Sequence, residues 1–176
     1  MVDHIKPLAK GGQTVYENLE AICERCLFEK DHGEDADLEM RIVTESDPEC
    51  PFCNENIKDQ VVEEFGSVLA IKDRYPVSEG HHLIIPKRHS SDWFSMAERE
   101  KRDAGTLLRI LRNRLTAFDT RITGFNVGFN CGSAAGQTVF HSHIHLIPRR
   151  DGDTQNPRGG VRGVIPHKMS YGIQPD

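Results

Sequence analysis

Short stretches of alternating polarity surround one long helical stripe of apolar residues, a pattern that predicts an α+β domain with strands packed on a helix. Ala104, Leu107, Leu108, Leu111, Leu115 and Phe118 recur at helical spacing and fall on one face. His141-Ser142-His143-Ile144-His145-Leu146 instead alternates with a period of two, the signature of a strand. On a strand the three imidazoles share a face, about 6.6 Å between successive ones. On a helix, at roughly 100° per residue, His143 would point away from the other two.

The remaining elements follow in order. Residues 67–72 and 81–85 read as strands, with Pro76 and Gly80 punctuating their connection. Ser95-Met96-Ala97-Glu98 has the form of a capping box and opens the long helix. Arg109, Arg112 and Arg114 lie off its apolar stripe and read as a solvated face. Residues 122–130 alternate Phe125, Val127 and Phe129 against Asn126, Gly128 and Asn130, giving another strand. The histidine strand comes last, after the turn Gly136-Gln137-Thr138, and a Gly/Pro/Asp-rich loop occupies residues 151–163.

The chain has 176 residues, 37% hydrophobic and 28% charged, the balance of a soluble globular protein. It has no apolar run long enough to span a bilayer and no signal-like start, so cytoplasmic residence is the expectation. A net charge of −5 argues against nonspecific attraction to nucleic acid or anionic membrane. Arg149, Arg150, Arg158 and Arg162 form a local basic cluster that could attract phosphates. Residues 29–49 are strongly acidic and poor in apolar side chains, which places a linker at residues 31–49 between a segment 1–30 and a domain 50–176.

Cysteines occur as Cys23-x-x-Cys26, Cys50-x-x-Cys53 and a lone Cys131. In a reducing compartment such pairs suggest zinc or redox chemistry more than disulfides. The two pairs could share one zinc, or each could belong to its own site. Three histidines at alternate positions could likewise be a metal cluster, a catalytic constellation or a His-rich strand edge.

The strand triad after Gly-Gln-Thr, together with His81-His82-Leu83-Ile84-Ile85-Pro86-Lys87-Arg88-His89, resembles the histidine triad (HIT) family over roughly residues 50–150. That resemblance implies a HIT-like antiparallel sheet with one long helix, usually a homodimer. It implies hydrolysis or transfer of nucleotides from phosphoramidates, dinucleoside polyphosphates and nucleotidylated substrates. His143 matches the nucleophile that attacks the α-phosphorus and forms a nucleotidyl-imidazole intermediate. A neutral imidazole, with an unperturbed pKa near 6.5, carries the free lone pair this needs. His145 and His81 match groups that hydrogen-bond the phosphate, and Gln137 and Thr138 match residues that hold the phosphate or leaving group. Asp73 matches a ribose-binding acid and Asn130 a polar residue near the leaving group; taken singly, both read equally as turn or strand-end residues. His145 at the third triad position favours the hydrolase branches over the nucleotidylyltransferases, which carry Gln there. Cys50, Cys53, His89 and His141 match the four ligands of a structural zinc found in several such proteins, one ion per chain.

Asp3-His4-Ile5-Lys6-Pro7-Leu8 with Gly11-Gly12, Asn18-Leu19 and Cys23-x-x-Cys26 resembles the second half of an HNH endonuclease domain. In that family the Asp-His pair supplies a metal ligand and a general base, and the Asn orients the loop. Here the upstream CxxC is absent and Leu27 stands where a late metal ligand is expected, so the segment reads as a truncated ββα-metal-like remnant. Nucleic acid is then not an expected partner unless the segment is completed upstream.

Three functions follow: a nucleotide hydrolase or transferase working through His143, a non-catalytic zinc-stabilised nucleotide-binding module, and a fragment of a fused HNH nuclease. The intact triad and Gln-Thr turn favour the first. The incomplete N-terminal motif and the negative charge count against the third.

Overall fold

The protein is described by a computed structural model covering residues 2–4, 19–21 and 46–170. It divides into two units, Met1–Thr44 and Glu45–Asp176, each taken by itself. In the first, strands β1 (Val2–His4) and β2 (Leu19–Ala21) pair antiparallel, with Asp3 opposite Glu20 and His4 opposite Leu19. Asp3 and His4 therefore stand on β1. Asn18, Cys23, Cys26 and residues 31–45 of the acidic linker lie outside the described residues.

The second unit opens with Cys50-Pro51-Phe52-Cys53, a short helix α1 (Asn54–Ile57) and one 3-10 turn. Strands β3 (Val61–Phe65), β4 (Val68–Lys72) and β5 (His82–Pro86) follow, then the helix α2 (Glu98–Phe118), β6 (Ile122–Gly128) and β7 (Ile144–Arg150). The five strands form one antiparallel sheet in the order β3-β4-β5-β7-β6. Among the described residues no helix is long and apolar enough to cross a membrane.

The two faces of the sheet carry different covers. On one, Val68, Ala70, Ile84, Ile144 and Leu146 pack against Ala104, Leu107 and Leu111 of α2. Ala104, Leu107 and Leu111 of the predicted stripe are buried and Leu108 and Leu115 pack beside them, whereas Phe118 at the end of α2 is 90% exposed; Arg109, Arg112 and Arg114 are exposed as expected. On the other face Leu69, Ile71, Leu83 and Ile85 pack with Ile57, Phe52 and Val61. β4 and β5 are consequently buried on both sides, which is why their sequences are continuous apolar runs rather than alternating ones.

One strand is added to the expected set and two local expectations are corrected. β3 is an edge strand the sequence conceals: Glu63-Glu64 interrupts its apolar residues and a bulge separates Val61 from Glu63. The ladder of β7 begins at Ile144, so His141, at a bend, and His143 precede it and only His145 lies on the strand. The amide of Ser142 donates to Ser90 O at 2.6 Å, drawing this segment towards the loop after β5 instead of along the ladder. The box at Ser95 also caps a different element. Asp92 Oδ1 accepts from Ser95 N–H, and Ser95 Oγ accepts from Asp92 N–H, closing the 3-10 turn Trp93–Ser95. α2 starts at Glu98, and Glu100 Oε2 reaches back to accept from Ala97 N–H at 2.8 Å.

Candidate functional site

Register builds the site. Asp73 N–H donates to His81 O at 3.0 Å, extending the β4–β5 pairing one step beyond Lys72 opposite His82. Leu83 faces His145 across β5–β7. The odd-numbered positions of β4 and β5 (Leu69, Ile71, Leu83, Ile85) line the face covered by the cysteine knuckle, and side chains alternate along a strand. By the same parity Asp73, His81 and His145 continue that face. His81 Nε2 lies 3.0 Å from His145 Nδ1, and Asp73 Oδ2 lies 3.4 Å from His81 Nδ1 and 3.9 Å from His145 Nδ1. One hydrogen bridges the two rings. Their close approach is accounted for by this bond, although the trio's spacing could also hold a cation.

His143 is 8% exposed, and its ring centroid is 5.2 Å from that of His145 at 71°. Its Nδ1 is 2.7 Å from His141 O. A carbonyl only accepts, so Nδ1 carries the hydrogen and the neutral ring keeps its lone pair on Nε2. Burial first, then the neighbouring charges of His143 and His81, push His145 down to about 4. Burial likewise lowers His81, against the pull of Asp73. Both are neutral at physiological pH and offer one N–H and one lone pair each.

The second cluster joins Cys50 and Cys53 to His89 and His141, whose ligand atoms all lie within 4.8 Å of one another. Cys50 Sγ is 3.4 Å from His141 Nδ1, Cys53 Sγ is 3.5 Å from His89 Nδ1, and Cys53 Sγ is 3.8 Å from His141 Nδ1. His141 is fully buried, and its Nε2–H donates to Pro86 O at 2.9 Å, which turns the Nδ1 lone pair onto the sulfurs. Burial brings His141 down to about 4 and pushes the Cys50 thiol up. These four residues could hold a metal ion, which would draw the thiols to thiolates. His141 links the clusters: its ring faces the sulfurs while its carbonyl holds His143.

The remaining expected residues are Gln137, Thr138 and Asn130. Gln137 is 4% exposed and its amide is spent on backbone: Oε1 accepts from Gly132 N–H, and Nε2 donates to Ser91 O and Val139 O. Thr138 is exposed and lines a cleft together with Phe140, Asp47, Pro51 and His89. Asn130 follows β6, its amide lying over Gly136. Sequence reading misses three contributors. Phe52 packs edge-on to His143 and His141, Ser142 donates its buried hydroxyl to Met96 Sδ at 3.0 Å, and Arg88 pairs with buried Glu100 at 2.8 Å beside His89. Of these, only the acid three residues after Ala97 leaves a sequence signal.

The HIT domain family matches residues 54–152, and the HNH endonuclease family matches residues 1–26. An uncharacterized HIT-like protein of Methanocaldococcus jannaschii is 36% identical over 123 residues, 65% of this chain and 91% of that protein. The adenylylsulfatase HINT3 of Arabidopsis thaliana is 38% identical over 85 residues, 48% of this chain and 43% of that protein. The crystal structure of a hypothetical histidine triad nucleotide-binding protein from Sulfolobus tokodaii superposes with a TM-score of 0.54 at 31% identity, covering 58% of this chain and 70% of that one.

Proposed function

The chain belongs to the HIT domain family, and from that premise we propose that it cleaves nucleotides at their α-phosphate through a nucleotidyl-histidine intermediate on His143. The observation that carries the reading is the fixed orientation of one ring. Nδ1–H is tied to His141 O, so Nε2 is the nucleophilic nitrogen. In the first step the Nε2 lone pair forms the N–P bond as the leaving group departs with the P–O or P–N electron pair. In the second, water forms a new P–O bond and the imidazole leaves. Val77 N–H donates to His81 Nδ1, so His81 carries its hydrogen on Nε2 and gives it to His145 Nδ1, leaving His145 Nε2–H free to donate to a phosphoryl oxygen as charge builds on it. Asp73 orients that pair and holds ribose, Asn130 and Thr138 attend the leaving group, and Gln137 shapes the turn beneath them.

The metal we assign to Cys50, Cys53, His89 and His141 is zinc. Tetrahedral zinc, with bonds of about 2.3 Å to sulfur and about 2.05 Å to nitrogen, sets a sulfur–nitrogen edge of about 3.6 Å. The three separations of 3.4, 3.5 and 3.8 Å bracket that value. The ion would supply folding energy and hold the knuckle, while the bond-making falls to the histidines. A homodimer belongs to the same reading, and light scattering tests it.

The names of two relatives supply the substrates to try, adenylyl sulfate from the adenylylsulfatase and simple nucleotides from the nucleotide-binding protein. The deciding experiment is turnover of adenosine phosphoramidate, a dinucleoside polyphosphate and adenylyl sulfate by the protein and by His143→Ala. Loss of turnover in a folded variant is expected; unchanged turnover rejects the mechanism. Residues 1–26 enter no step, and magnesium-dependent plasmid nicking abolished by His4→Ala would reverse that.

A further inference from the structure

We infer that Phe52 is a positioning residue for His143: the aromatic ring carried between the two cysteine ligands fixes the plane in which the nucleophile presents Nε2. The inference rests on the reading of His143 as nucleophile and adds a residue that neither the triad nor the metal quartet contains.

The hydrogen bond from His143 Nδ1–H to His141 O anchors one corner of the imidazole at 2.7 Å. A single hydrogen bond fixes one atom and leaves the ring free to pivot about it. A near-attack geometry needs the plane as well, because a small misplacement of a reacting group costs large factors in rate. Two ring contacts supply the plane. His143 meets His145 at 5.2 Å and 71°, and it meets Phe52 at 5.2 Å and 71°. Both are the edge-to-face arrangement aromatic rings prefer. Phe52 is the stiffer of the two supports. It lies between Cys50 and Cys53, both buried, and it packs on Ile57, Leu69, Ile71, Leu83 and Ile85. The same ring also contacts His141 edge-on at 6.4 Å. The knuckle thus grips the nucleophile from two sides, through the carbonyl of His141 and through the side chain between its two cysteines.

The test uses the full chain. Hydrolysis of adenosine phosphoramidate is measured for the wild type, Phe52→Leu, Phe52→Tyr and Ile57→Val, with metal content and thermal midpoint for each. Phe52→Leu keeps the apolar volume and removes the aromatic edge. It should lower kcat about tenfold, equal to about 1.4 kcal/mol of barrier, with KM and metal content unchanged. Phe52→Tyr should recover most of kcat. Ile57→Val trims the same cluster without touching His143 and should lower the thermal midpoint while leaving kcat intact. A kcat for Phe52→Leu equal to wild type overturns the inference, and so does an equal loss in Ile57→Val. If Phe52→Leu does not fold, the wild type decides by proton NMR: a through-space contact between the Phe52 and His143 rings is expected, and its absence overturns the inference. A wild type with no turnover on any nucleotide defeats the reading of His143 and this inference with it. An active wild type matched by Phe52→Leu defeats this inference alone.

Discussion

Stripping the metal from the knuckle should lower the thermal midpoint by an amount that can be worked out in advance. The proposed ion would sit among close, buried ligands: His141 is fully buried, Cys53 is 1% exposed, and three sulfur–nitrogen separations fall between 3.4 and 3.8 Å. Such a site barely exists in the unfolded chain, so binding adds to folding stability by mass action. At free zinc about 1,000-fold above its dissociation constant the gain is about 4 kcal/mol. For a chain of this length each kcal/mol moves the midpoint by roughly 2–4 °C, so the shift should be about 8–16 °C. The assay is thermal unfolding of the protein as purified, after exhaustive chelation, and after zinc is restored, with elemental analysis of each sample. Cys53→Ser should behave as the chelated protein does, whereas Cys23→Ser should keep its ion. Protein that carries no metal and melts at one temperature in all three samples would refute the assignment.

Other outcomes follow from the same structure. Leu107 is fully buried where α2 meets the sheet, so Leu107→Ala should cost about 2–5 kcal/mol in denaturant unfolding without loss of metal. Gln137→Leu leaves Gly132 N–H, Ser91 O and Val139 O without their partner, and should cost about 2–4 kcal/mol while turnover falls with it. His145 is held down to about 4, and His81 is lowered too, so the unfolded chain takes up protons first as pH falls. Their contribution to stability is therefore complete above about pH 6.5 and declines from there to about pH 4, which unfolding midpoints across that range will measure.

Much of this architecture is legible in the sequence, for reasons that differ between elements. The stripe from Ala104 to Leu115 declares α2 because a helix on a sheet buries one face only. Val68–Ile71 and Leu83–Ile85 read as strands through sheer apolar continuity, since both faces of β4 and β5 are covered. The cluster of Cys50, Cys53, His89 and His141 is legible because CxxC spacing and two histidines are local chemical signals, and the fold brings all four together. β3 escapes because an edge strand needs little apolar content, and Glu63 and Glu64 serve salt bridges to Arg114 and Lys87 instead. The departure of His141 and His143 from the ladder is also hidden, because Ser142 bonds Ser90, a partner more than 50 residues away. The roles of Phe52 and Gln137 depend on what tertiary packing sets beside them, and no local pattern encodes that.

The most direct measurement of the central claim is a chemical one. The protein is mixed with excess adenosine phosphoramidate and quenched within the first turnovers in alkaline denaturant, because a phosphorus–nitrogen bond on imidazole is labile to acid. Peptide mass spectrometry then locates any adduct. An adenylyl group on His143, absent from His143→Ala, is the predicted result. Turnover with no nucleotide on the protein, or with the nucleotide on His145 or His81 instead, would contradict the assignment of His143 as the attacking residue.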